Sequence, residues 1–321
     1  MKRFPVFPAI MLLAALLSIQ GGTAQSRLTP GEHFAPVNGI TLHYYVAGRG
    51  PVCLVPSPGW GISVDYLYKS LTPLEKYFTM VFYDTRMSGK STGPDDSTQY
   101  TSIDFMNDME SLRAYLGQQK IWLLGHSAGG IQTLFYAVNH TAQLNGIIVI
   151  DAIAGRDSFY LADHQRAIAR RKGKPYYKEG YYLITHFDSI LNHEDSVYYT
   201  FGQMLDSTLP FYFHDPSKIK DLPQSNSRVS DKARAYTTAS HFSTEYLYPK
   251  LHGINVPALV IVGDDDFICP RASGADRIAN DIPNSTEIVI KDAGHFCWIE
   301  QPEQFFPACE KWLSKNGVKR R

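Results

Sequence analysis

Gly125-His126-Ser127-Ala128-Gly129 lies between the apolar run Ile121–Leu124 and a helical pattern that opens at Ala128. A serine flanked by glycines at such a junction can sit on a strained strand-to-helix turn, because small neighbours let strand and helix approach closely. Its hydroxyl then lies at a helix N-terminus, where free N–H groups and the helix dipole favour developing negative charge. A serine hydroxyl is a weak nucleophile until a base removes its proton, so an imidazole and a carboxylate are needed elsewhere. Of the 11 histidines, His295 follows directly on a strand-like run, in Asp292-Ala293-Gly294-His295-Phe296. Asp266 follows the run Ala258–Val262, in Gly263-Asp264-Asp265-Asp266-Phe267-Ile268-Cys269-Pro270. Asp264 and Asp265 read as solvated loop charges and remain alternative acids. His126, beside the serine, reads as a packing residue.

These residues need a scaffold that brings strand ends together. Strand-like runs occur at His33–Val37, Ile40–Val46, Val52–Val55, Thr79–Tyr83, Ile121–Leu124, Ile147–Ile150, Ala258–Val262 and Glu287–Ile290. From Val52 onward they are continuously apolar, as strands buried on both faces must be. Helical patterns lie between them, at Ile103–Leu116, Ala128–Val138 and Pro302–Leu313. In the first, Ile103, Met106, Met109, Leu112 and Leu116 recur at helical spacing and predict one buried face. Alternating strands and helices predict an α/β fold with a mostly parallel central sheet flanked by helices. The alternation stops between about Ala154 and Pro249, a stretch that holds 11 of the 20 tyrosines. It reads as an inserted, mainly helical cap. The expected organisation is a leader over 1–24, the core over 25–153, the cap over 154–249 and the rest of the core over 250–321.

Composition narrows the functional classes. Of 321 residues, 44% are hydrophobic and 19% charged, which describes a globular protein. Lys plus Arg equals Asp plus Glu, at 31 each, with no clustered basic face, so a nucleic-acid partner is not expected. Lys2 and Arg3 precede the apolar run Ala9–Ile19 and the small residues Gly22-Thr23-Ala24, the pattern of a secretory signal peptide. The run is too short to span a hydrocarbon core of about 30 Å, so no stable membrane insertion is expected after cleavage. The mature chain is expected to be secreted or periplasmic. Four cysteines are too few for a disulfide scaffold, and none of their spacings matches a zinc site. No nucleotide loop is present, and no cofactor or metal is expected.

The segment Tyr83-Asp84-Thr85-Arg86-Met87-Ser88-Gly89-Lys90-Ser91 resembles the D-x-R-x-x-G-x-S stretch of proline iminopeptidase-like α/β-hydrolases. The Ser127 turn, the Val262–Pro270 segment and Gly294-His295-Phe296-Cys297-Trp298-Ile299-Glu300-Gln301-Pro302 extend that resemblance over Val52–Ala154 and Val256–Leu313. It implies a serine hydrolase with the chain order Ser127, Asp266, His295. It also implies a second oxyanion donor in the loop after Val52–Val55. That loop reads Pro56-Ser57-Pro58-Gly59-Trp60-Gly61, where the family usually has His-Gly. Setting Pro58-Gly59 against His-Gly makes the Trp60 N–H the partner of the Ala128 N–H. Pro58 has no N–H to offer. Met87 stands where the family often has glycine, and Asp84, Arg86 and Ser91 are expected to brace loops. The implied chemistry is two-step acyl transfer through Ser127. An aminopeptidase would need a cap carboxylate to meet the substrate's α-amino group, and Glu179, Glu194, Asp195 and Glu245 are the candidates. The expected partner is a small molecule or short peptide. A carboxylesterase or lactonase is the rival enzyme, and a ligand-binding protein on a hydrolase fold is the rival outside enzymes. Cys269 and Cys297 follow the acid and the base closely enough for a bridge, with two buried thiols as the favoured state.

Overall fold

The computed structural model describes residues 26–192, 194–223 and 229–321, so the expected leader lies outside the described residues. One sheet is built from β1 (Gly31–Val37), β2 (Ile40–Gly48), β3 (Val52–Pro56), β4 (Thr79–Tyr83), β5 (Ile121–His126), β6 (Leu144–Ile150), β7 (Ala258–Gly263) and β8 (Ser285–Ile290). The helices are α1 (Asp65–Ser70), α2 (Ser102–Tyr115), α3 (Ala128–His140), α4 (Ser158–Ala169), α5 (Tyr177–Thr185), α6 (Phe187–Leu191), α7 (Phe201–Thr208), α8 (Asp231–Ala239), α9 (Ala275–Asp281), α10 (Cys297–Glu300) and α11 (Pro302–Lys315). The strand order is β1-β2-β4-β3-β5-β6-β7-β8. Pairing is antiparallel for β1/β2 and β2/β4, and parallel from β4/β3 to β7/β8.

Two cores explain the unbroken apolar runs. Val52, Leu54, Ile121, Leu123, Ile147 and Val149 face one core, together with α2, α3 and α9. Cys53, Val55, Trp122, Leu124, Ile148 and Ile150 face the other, together with α1 and α11. Successive strand residues point to opposite faces, so a strand covered on both sides has no place for a polar residue. β8, at the sheet edge, is only partly covered and departs from that expectation.

The predicted face of α2 faces the core except at its first position: Met109, Leu112 and Leu116 are buried and Met106 packs against them. Ile103 is 56% exposed, while Phe105, Met109 and Leu112 are buried. A capping box between Thr101 and Asp104 starts the helix. Asp108 then points inward and holds Arg86 through two 2.8 Å bonds to Nε and Nη2. Phe105 and Asp108 are thus buried beside the predicted face, and Ile103, in the first turn, lies outside it.

Between β6 and β7 the chain leaves the sheet through α4 to α8. Leu183, Ile190, Leu191, Phe201 and Met204 form a small core there, against which Trp60 and Ile62 pack. Ala167, Ile168 and Phe211 meet Phe267 from the loop after β7. Tyr160 and Tyr248 belong instead to the core of the sheet. The four cysteines are buried and free, so Cys269 and Cys297 are thiols. No helix among the described residues is long and apolar enough to cross a membrane.

Candidate active site

Ser127 joins β5 to α3 with φ 57° and ψ −127°, outside the regions that ordinary residues favour. Its surroundings hold it there. Its N–H donates to Ile150 O at 3.0 Å, and its carbonyl accepts from Gly130 N and Ile131 N. A Cβ at position 125 would lie 2.2 Å from Gly129 O, and one at position 130 would lie 2.6 Å from the Ala152 Cβ. Both positions must be glycine for strand and helix to meet this closely. The turn therefore presents the serine side chain, which makes no cap bond of its own, at the start of α3.

The loops after β7 and β8 lie backbone against backbone. A Cβ at Gly263 would come within 2.1 Å of Gly294 O. Asp265 N donates to Ala293 O at 2.9 Å. Asp266 and His295 are thereby brought together, 1% and 2% exposed respectively. His295 Nδ1 donates to Asp266 Oδ2 at 2.8 Å. Asp266 Oδ1 accepts from Ile268 N and Cys269 N, which fixes the carboxylate plane. With its proton on Nδ1, the imidazole keeps the Nε2 lone pair, the form that a general base requires.

His126 does more than pack. Its Nε2 lies 2.8 Å from His295 O, and its ring centroid is 4.5 Å from that of His295. Burial, with His295 beside it, pushes the His126 imidazole well below its usual range, so it is neutral. A carbonyl can only accept, so Nε2 carries the proton, and Nδ1 accepts from the Tyr66 hydroxyl at 2.9 Å. The residue next to the nucleophile candidate thus anchors the main chain of the base candidate. Tyr66→Phe leaves Nδ1 without a partner and is expected to cost about 1–3 kcal/mol of stability. Urea unfolding measures it; a loss below about 0.5 kcal/mol would show that Nδ1 does not depend on Tyr66.

The loop after β3 lies against the start of α3, with Pro56 O 3.3 Å from where a Gly129 Cβ would stand. Gln132 Nε2 donates to Ser57 O at 3.3 Å and ties the loop to α3. Gly59, Trp60 and Gly61 have φ of 84°, 51° and 80°. For a tryptophan the left-handed conformation costs about 1–2 kcal/mol. The turn closes through Ile62 N to Gly59 O. The Trp60 ring meets Phe242 edge-on at 5.4 Å, so Trp60 packs under the insertion, on the loop whose first residues lie against α3. Met87 also has positive φ, 55°, a conformation that glycine adopts more readily, in keeping with the glycine that the family resemblance leads one to expect there. Asp84 accepts from Val64 N and Lys90 N, and Ser91 Oγ donates to Asp84 O, so this segment braces loops.

The four carboxylates singled out in the insertion are not gathered at one point. Glu179 and Glu194 are exposed, and Glu179 lines an outer groove with Tyr181 and His186. Asp195 accepts from Tyr182 Oη at 2.8 Å and Val197 N at 3.1 Å. Glu245 has a buried oxygen, Oε2, with no hydrogen-bond partner among the described residues. Its backbone lies beside Gly155, just past the end of β6.

Several residues at the site carried no local signal. Asp151 directly follows β6 with φ 47° and accepts from Gly263 N at 2.8 Å. Burial, reinforced by Asp266, pushes its carboxyl well above the usual range. Tyr212, from the insertion, stands 5.4 Å from the His295 ring. Ligand atoms of Asp266, Cys269 and His295 lie within 4.8 Å of one another. The carboxylate and imidazole of that group are bonded to each other, and burial pushes the Cys269 thiol well above its usual range, which disfavours the thiolate a metal would need.

Comparison with known proteins agrees with this architecture. The family model described as the alpha/beta hydrolase fold matches residues 51–302. A proline iminopeptidase of Saccharolobus solfataricus is 25% identical over 303 residues, covering 88% of this chain and 92% of its own. The 2-hydroxy-6-oxo-6-(2'-aminophenyl)hexa-2,4-dienoic acid hydrolase of Metapseudomonas resinovorans is 25% identical over 301 residues, covering 89% of this chain and 92% of its own. The crystal structure of a proline iminopeptidase-related protein from Thermus thermophilus superposes with a TM-score of 0.69 at 21% identity, covering 90% of this chain and 99% of that one. With the parallel sheet, the serine on its strand-to-helix turn and these similarities in hand, the chain belongs to the alpha/beta hydrolase fold family and is similar to the proline iminopeptidases.

Proposed function

We propose that this chain is an exported serine hydrolase that forms an acyl-enzyme on Ser127 and acts as an aminopeptidase on small peptides. The observation that carries the hydrolase reading is the buried His295–Asp266 bond of 2.8 Å, with His295 anchored through His126 to the turn that bears Ser127. His295 takes the Ser127 proton as the hydroxyl attacks a carbonyl, and returns it to the leaving group; Asp266 holds the tautomer and stabilises the imidazolium. The Ala128 and Trp60 N–H groups receive the oxyanion. Water, activated by the same imidazole, then releases the acyl group.

The aminopeptidase reading draws support from the proline iminopeptidase relatives and from Glu245. A half-buried carboxylate whose Oε2 lacks a partner is suited to receive a protonated amine. The rival, an esterase or lactonase, draws support from the equally similar dienoic acid hydrolase.

Comparing kcat/KM on a prolyl arylamide with that on p-nitrophenyl butyrate, with Ser127→Ala as blank, separates the two. Preference for the arylamide, abolished by acetylating its amine, is expected. Glu245→Gln is then expected to raise KM for the arylamide about tenfold, the worth of a charge-assisted hydrogen bond, and to leave the ester unaffected. Turnover of the ester alone would discard the peptidase reading and keep the hydrolase. Folded protein that no fluorophosphonate labels at Ser127 would sink the hydrolase reading and favour a ligand-binding protein.

A further inference from the structure

The acid and base loops are fastened to the helical insertion as well as to the sheet. Arg171, just past α4, is 3% exposed. Its Nε donates to Phe211 O at 3.0 Å and its Nη1 to Ala167 O at 3.0 Å. Its Nη2 donates to Asp265 O at 2.8 Å, and its guanidinium lies 5.3 Å over the Phe267 ring. One buried cation thus grips both chain neighbours of Asp266.

Four residues along from Phe211, the insertion is held a second time. Glu300, 4% exposed, accepts from His214 N at 3.2 Å and Asp215 N at 2.8 Å. The same carboxylate accepts from Gly294 N at 2.6 Å. His295 N donates to Tyr212 O at 2.7 Å. Position 294 must be glycine for this, since a Cβ there would fall 2.4 Å from Tyr212 O. His214 Nδ1 lies 3.2 Å from Asp265 Oδ2 and closes the ring of contacts.

We propose that the segment Phe211–Asp215, fixed by Arg171 and Glu300, is a strap that sets the relative position of His295 and Asp266, which makes Arg171 and Glu300 positioning residues. The inference rests on the serine-hydrolase reading and goes beyond it. The His295 main chain is held at both ends, its N–H by Tyr212 and its carbonyl by His126, and the strap supplies the first hold. Reacting groups displaced by about 1 Å lose on the order of 10²-fold in rate. A substrate that presses on the insertion therefore acts on the base itself, and the insertion is part of the reaction centre.

The test uses the full chain with Glu300→Gln and Arg171→Met. Glu300→Gln preserves shape but turns an NH2 toward a backbone N–H. Arg171→Met keeps the buried stem and removes every bond that the guanidinium donates. The readouts are p-nitrophenyl acetate turnover, fluorophosphonate labelling and the downfield proton resonance of His295 Nδ1–H. In both variants, kcat and the labelling rate are expected to fall about 10²-fold, with KM held within about twofold, because the acetate is too small to need the insertion. The downfield resonance should broaden or vanish while circular dichroism stays native. Wild-type labelling and an unchanged resonance in a folded Glu300→Gln protein would overturn the strap, and this isosteric variant decides should Arg171→Met fail to fold. Wild-type protein inert to the fluorophosphonate would instead overturn the hydrolase reading beneath it.

Discussion

Ser127→Ala is expected to lower kcat by a factor on the order of 10⁵–10⁶ while leaving stability unchanged. The two halves of that result have separate physical grounds. Removing Oγ removes the atom that would form the ester bond, and what survives is the rate supplied by binding and oxyanion stabilisation, roughly 10³–10⁴ over water. Stability should not change, because the side chain caps no helix. The strain at φ 57° is equally felt by alanine, which keeps the Cβ. The turn itself is fixed by backbone bonds from Ser127 N and to Ser127 O, which the substitution does not touch. Urea unfolding beside turnover and fluorophosphonate labelling checks both. Turnover within about tenfold of wild type would remove Ser127 from the reaction. Equal loss of turnover and of folding would show that the turn needs the hydroxyl for its shape.

How much of this was legible in the sequence follows from where each constraint acts. The parallel strands were legible because two cores demand an apolar residue at every position, and that demand leaves continuous runs such as Ile147–Ile150. Ser127 and His295 stood out as candidates because a strand end followed by small residues is a local pattern, and the structure places both beyond strand ends. The face of α2 was legible from Met106 to Leu116, but hydrophobic periodicity could not show that Asp108 is also buried, on Arg86, nor that Ile103 is exposed. Arg171, Tyr66 and the strap were not legible either. Their contacts join residues 94, 60 and 86 positions apart, and no local pattern marks the partner. Glu300 lies in a segment that sequence resemblance had already picked out, yet its three N–H partners appear only once the loops are folded. Among the four insertion carboxylates, Glu245 was distinguished by burial alone, a property that residue type does not carry.

The run Asp264-Asp265-Asp266 offers the other large effect, since three chemically equal side chains are separated here by geometry alone. Asp266→Asn is expected to lower kcat about 10⁴-fold with little change in KM. The asparagine oxygen can still accept from Ile268 N and Cys269 N, which fix the present carboxylate at 2.9 and 3.1 Å. Its NH2 then faces His295 and can only donate, so the imidazole must place its proton on Nε2. The lone pair that would receive the Ser127 proton is lost, and the loop shape is kept. Asp264 differs in every respect that matters. Its side chain is 27% exposed and pairs with Lys291 at 3.5 Å, and its bond from Ala293 N is long, at 3.4 Å. Ion pairs of that kind contribute about 0–1 kcal/mol, so Asp264→Asn is expected to keep kcat within about twofold. Asp265→Asn falls between them, because its carboxylate meets His214 and Arg171 at the strap while its carbonyl stays in place. Steady-state kinetics on the three variants orders them as Asp266, Asp265, Asp264 in decreasing loss. A larger loss at Asp264 than at Asp266 would show that a carboxylate other than the one bonded to His295 serves the base.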